Sequence, residues 1–177
     1  MEILNYRVKD FIKLDLDSQN QYTKLLILSK PLPGKKDLWD LKLKHIEQLK
    51  TCGFEDFTFL AKIISKMYAI CIQKVLYLRI TEFFPYMVHL LDQFEKLVKS
   101  EQQLVRKDLD IRSQIVNASE RMQKFGIYNT LIPLATQLNV SLKDVNNMKY
   151  SEVFTILLYN KEVEEIQKEM NDIKIDK

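Results

Sequence analysis

The sequence predicts a mainly α protein: an irregular helical bundle around one long central helix, with room for one short β-hairpin. Three observations predict it. Three glycines and four prolines in 177 residues are too few for the turns of an all-β fold. A 46% hydrophobic share beside 29% charged residues fills a core and favours helices with a solvated face. The third is the stretch from Pro85 to Gly126, which holds no glycine or proline between its ends. Its apolar residues Met87, Leu90, Phe94, Leu97, Leu104, Ile111, Ile115, Ala118, Met122 and Phe125 recur at alternating helical steps. Unbroken, this helix would be roughly 60 Å long. The alternative is a break near Ser100, which could cap a new start with Gln103 three residues on. Glu101 and Asp108 fall on the same seam, where an unpaired buried carboxylate would cost several kcal/mol.

Taken in order, Val8, Phe11, Ile12 and Leu14 predict a first helix after a short extended start. Asp17-Ser18 reads as a stop and a cap before a second helix through Tyr22, Leu25, Leu26 and Leu28. Pro31, Pro33 and Gly34 make the clearest break. The spacing predicts a helix over 43–50, closed by Gly53 in a left-handed conformation, and another over 54–72 with Phe57, Leu60, Ile64, Met67 and Cys71 on one face. Val75–Ile80 fits either the end of that helix or a short strand, and Pro85 suits the first turn of the next helix. Gly126 stops the long stretch. A short helix follows over 127–138, interrupted or started near Pro133, then Asn139, Ser141 and Asp144 mark a turn and caps. Ser151 opens a final amphipathic helix. No internal repeat is visible. The chain reads as an N-terminal helical piece, residues 1–30, and a helical bundle, residues 31–177, or as a single domain.

The formal net charge of +3, from 27 basic and 24 acidic residues, describes a mixed surface rather than one built for polyanions. Two cysteines form no disulfide framework, so a reducing compartment is expected. The first residues lack a basic region leading into an apolar one, so no signal peptide is expected. The longest apolar run, Val153–Tyr159, is far short of a membrane span.

The sequence displays no chemistry. Cys52, Cys71, His45 and His89 include no closely spaced ligand pair, so neither a metal nor a cofactor is expected. Cys52 and His45 are the sole candidates for nucleophilic catalysis, and two helical turns separate them. No phosphate-cradling glycine motif occurs, and the chain is read as not an enzyme. Lys35, Lys36, Lys42, Lys44 and Lys50 surround Trp39, which offers an alternative function in nucleic-acid binding. Asp37, Asp40 and Glu47 dilute that patch, and Trp39 reads better as a core anchor or interface residue. In the last helix Ile156, Tyr159, Val163, Ile166, Met170 and Ile173 form an apolar stripe, set to fold back on the long helix or to dock on a partner. Trp39, Tyr159, Val163, Ile166, Met170 and Ile173 are the candidate interface.

Three segments, LNYRVKDFIKL (Leu4–Leu14), NASERMQKFGIYNTLIPLA (Asn117–Ala135) and LKDVNNMKYSEVFTILLYNKEVEEIQKEM (Leu142–Met170), resemble small helical virion and tail-assembly proteins of tailed bacteriophages, of the crAss-like kind. The resemblance implies a structural or assembly role as tail-assembly chaperone, neck or tail adaptor, or virion cargo. Other phage structural proteins would be the partners, with scope for homo-oligomers. The place of action would be the host cytoplasm during assembly, or the virion. The resemblance supplies no functional residues.

Overall fold

Low glycine and proline content and helical apolar spacing become ten α-helices among the described residues, which in this computed structural model are 5–105 and 116–173, the side chain of Asp172 excepted. Among these residues extended pairing is limited to two isolated antiparallel bridges, Arg7 with Arg79 and Lys42 with Lys149. Val75–Ile80 neither finishes the preceding helix nor forms a short strand. Helix α5 (Ile72–Tyr77) takes the first part, and only Leu78 is extended before Arg79 bridges. A single rung on each side is a helix-to-helix junction, not a strand.

The chain divides into two compact units, Met1–Leu41 with His45–Leu97, and Lys42–Lys44 with Val98–Lys177. The proline-containing loop is tied into the first unit: Leu32 N donates to Pro85 O at 3.0 Å, Lys36 N to Met67 O at 3.1 Å, and the Tyr68 hydroxyl to Leu32 O.

In the first unit α1 (Val8–Phe11) is a single turn. The buried Gln19 amide closes its end, donating to Ile12 O at 3.1 Å and Leu14 O at 2.9 Å. Helix α2 (Leu16–Leu26) is capped by Asp15, which accepts from Ser18 N at 2.8 Å. The cap therefore lies before the Asp17-Ser18 pair expected to supply it, because Ser18 is the third residue of the helix and an N-cap side chain reaches that amide. Helix α3 (Leu43–Cys52) ends at Gly53, φ +62°. Helix α4 (Phe57–Tyr68), capped by Asp56 on Phe59 N, ends at Ala69, φ +54°, short of the expected residue 72. Helix α6 (Ile80–Glu101) starts a turn before Pro85.

Phe11, Phe57, Phe83 and Phe84 stack edge-on or tilted at centroid distances of 5.1–6.5 Å. Around them Leu60, Ile63, Ile64, Met67, Met87 and Leu90 are buried. Burying each such side chain contributes roughly 1.5–3 kcal/mol.

Among the described seam residues burial runs as far as Leu97; α6 ends at Glu101 and a 3-10 turn, Gln102–Leu104, follows. The helix ends near Ser100, but Ser100 itself lies inside α6 and caps no new start. Asp108, Ile111 and Ile115 lie outside the described residues.

In the second unit α7 (Ala118–Gln123) stops before Gly126, φ +50°, and α8 (Tyr128–Leu138) stops at Asn139, φ +53°. Helix α9 (Leu142–Asn147) opens with a reciprocal Ser141–Asp144 capping box, and α10 (Tyr150–Asp172) follows. Leu131, Leu134, Ala135, Val145, Tyr150 and Val153 make the core. The order helix, left-handed residue, six-residue helix, extended residue, long helix thus occurs once in each unit.

Candidate protein-docking surface

Helix α10 is held at one end and open at the other. Its first turns bury Tyr150 and Val153. The Tyr150 hydroxyl donates to the Glu101 carboxylate. One helical stretch on, Asn160 and Gln137 exchange side-chain amide hydrogen bonds of 2.7 and 3.0 Å, and Lys161 donates to Gln103 O. Lys161 also pairs with Glu165 at 3.4 Å. Tyr159 is 65% exposed, Ile166 53%, Met170 66% and Ile173 66%, with Ile156 and Val163 half-buried. The stripe's charged neighbours, Glu162, Glu164, Glu165, Lys168 and Glu169, are exposed with it. The sequence finds this stripe but not the face that the fold covers, which is Tyr150 and Val153.

Trp39 sits half-buried in a 3-10 turn, Leu38–Asp40, and the residue that anchors the turn is Leu38, fully buried, whose amide donates to Gln93 Oε1 at 2.6 Å. Trp39 and the α10 stripe occur in different units. A further apolar set escapes sequence reading: Leu16, Leu25 and Leu28 on and after α2 are exposed, while only Leu26 of that helix's leucines is buried. Helical spacing identifies α2, but it does not reveal that the helix is short of cover.

The candidate chemical residues do not assemble into a site. Cys52 and Cys71 are both exposed. Cys71, expected in the core, stands instead before the first residue of α5, with its thiol 2.8 Å from Gln73 Oε1. The His45 ring faces the Lys66 ammonium rather than Cys52. His89 Nε2 lies 2.9 Å from Gln93 Nε2. No group of three or more His, Cys, Asp or Glu residues able to hold a metal occurs among the described residues. The basic segment is divided in its contacts: Lys50 pairs with Glu47 at 2.8 Å, and Lys44 and Lys42 reach Asn147 Oδ1 at 2.8 and 3.4 Å. Among the described residues no helix is long and apolar enough to cross a membrane.

Comparison with protein-family models, curated proteins and solved structures gives no match.

Proposed function

We propose that this protein is a non-enzymatic structural or assembly factor of a tailed bacteriophage, a tail-assembly chaperone, neck or tail adaptor or virion cargo, acting through helix-mediated contacts. The observation that carries the reading is the free half of α10. Four large apolar side chains stand exposed at helical spacing on a helix that is anchored through Tyr150 and Lys161. Such a face gains roughly 1.5–3 kcal/mol per residue when a partner covers it, and an amphipathic helix laid into an apolar groove is a recurrent way to dock. The phage assignment is supported by the resemblance of the Leu4–Leu14, Asn117–Ala135 and Leu142–Met170 segments. Other virion proteins, or further copies of the chain, are the partners, in the host cytoplasm during assembly or in the particle.

The test is co-expression with the capsid, neck and tail proteins encoded beside the gene. One of them should co-purify with the unaltered chain and fail to co-purify with Ile166→Glu/Met170→Glu, whose melting temperature should not change. Failure of every such protein to co-purify, or capture that is indifferent to the two substitutions, would overturn the proposal.

A further inference from the structure

Ala69 and Asn139, both left-handed, stand 70 residues apart, and the same register holds from there to the start of the long helix in each unit. Helices α5 and α9 begin at Ile72 and Leu142 and end at Tyr77 and Asn147. Leu78 and Met148 are the extended C-cap residues. Helices α6 and α10 begin at Ile80 and Tyr150.

The backbone hydrogen bonds repeat in the same register. Ile70 N donates to Ser65 O and Val140 N to Ala135 O; Phe83 N donates to Arg79 O and Val153 N to Lys149 O. So does the core: Ala61 and Leu131, Ile64 and Leu134, Val75 and Val145, Ile80 and Tyr150, Phe83 and Val153 are buried in both units.

A second feature, independent of the turn, obeys the register too. Each short helix ends against the start of an earlier helix. Val8 N, the first amide of α1, donates to Leu78 O at 3.0 Å; Leu43 N, the first amide of α3, donates to Met148 O at 3.0 Å. Arg7 bridges Arg79 as Lys42 bridges Lys149. The flanking cations converge on equivalent residues. Lys9 Nζ and Arg7 Cζ lie 3.9 and 5.1 Å from the Tyr77 ring centroid, and Lys44 and Lys42 reach Asn147. The physics is shared. A helix's first amides and another helix's last carbonyls are unsatisfied groups of opposite partial charge, and cations are favoured at the carbonyl end.

We infer that the chain is an internal duplication of one helical module, and that each copy carries the same docking site. That site is the carboxyl end of the short helix, which takes a helix start of the pattern basic–apolar–lysine, Arg7-Val8-Lys9 in one unit and Lys42-Leu43-Lys44 in the other. The occupants are the chain's own segments, and the inference stands apart from whatever partner α10 takes.

The test is a transplant in the full chain. Residues Ala69–Tyr77 are replaced by the sequence of Asn139–Asn147, which leaves Val75 in place. A control carries the same new residues in scrambled order, again with valine at 75. Hydrogen exchange at the Val8 amide reports whether the first helix start still docks. The transplant should keep Val8 exchange within about tenfold of the unaltered chain, while the scramble should accelerate it well beyond about tenfold. The melting temperature should follow, staying within about 5 °C for the transplant alone. Equal acceleration in both variants, or in neither, would overturn the inference. The first result would mean that the second short helix cannot serve the first docking site, the second that the site does not read the sequence.

Discussion

The hydroxyl of Tyr150, the first residue of α10, donates to the carboxylate of Glu101, the last residue of α6. This explains a carboxylate on an apolar seam: Glu101 is half-buried and serves as acceptor for a buried phenol that needs one. Tyr150→Phe should lower stability by about 1–2 kcal/mol. Glu101→Gln, which can still accept, should cost less than Glu101→Ala. In thermal melts, Tyr150→Phe combined with Glu101→Ala should cost less than the two separate losses added together.

The left-handed residues make opposite predictions by residue type. Gly126 has φ +50°, and a Cβ there would meet nothing within 4 Å, so Gly126→Ala is strained by backbone conformation alone. It should destabilise the protein by about 1 kcal/mol. Ala69 already bears that strain at φ +54°, so Ala69→Gly should stabilise by about 1 kcal/mol. Denaturant midpoints at constant m-value would check both.

Tyr68 gives a pH dependence. Burial, with the nearby Tyr86 adding to it, raises its phenol well above the ordinary tyrosine range, and the hydroxyl donates to Leu32 O. Since the folded value lies above the unfolded one of about 10, the unfolded chain releases this proton first. The associated stability is complete below about pH 10 and is lost as pH rises toward the folded value. Alkaline unfolding followed at the tyrosinate absorption band should show Tyr68 ionising together with loss of helical signal. In Tyr68→Phe the stability should depend less steeply on pH in that range.

Truncation separates the two halves of α10. Ending the chain after Tyr150 deletes Val153, which is fully buried, and should unfold the second unit. Ending it after Glu162 removes Ile166, Met170 and Ile173, all exposed, and should leave the melting temperature within about 2 °C while abolishing partner capture or self-association. Loss of helical signal from the second unit in the shorter truncation would show that the free half is part of the fold.

Much of the local architecture was legible because it is set by neighbours in the chain. Gly53 and Gly126 are left-handed where apolar periodicity stops, and Ser141 and Asp144 cap a helix as their three-residue spacing implies. The duplication was not legible. Apart from Val75 with Val145, its buried pairs keep only apolar character, as Ala61 with Leu131 or Phe83 with Val153, and equivalent surface positions share little, as Tyr77 with Asn147. The candidate interface was half legible: the α10 stripe can be read from spacing, but the same spacing suits a buried stripe as well as an exposed one.

The sequence by itself determined that this protein is helical and where several of its helices stop, because those outcomes depend on φ preferences, caps and periodicity within a few residues. Only the tertiary structure decided which amide meets which carbonyl. Val8 reaches Leu78 and Leu43 reaches Met148 because unsatisfied helix ends must find partners of opposite partial charge, however far along the chain. It also decided that Glu101 is an acceptor, that Cys71 is exposed, and that Tyr150 and Val153 rather than the outer stripe of α10 are covered. Burial is a property of the neighbours a side chain acquires, and no single helix carries that information in its own sequence.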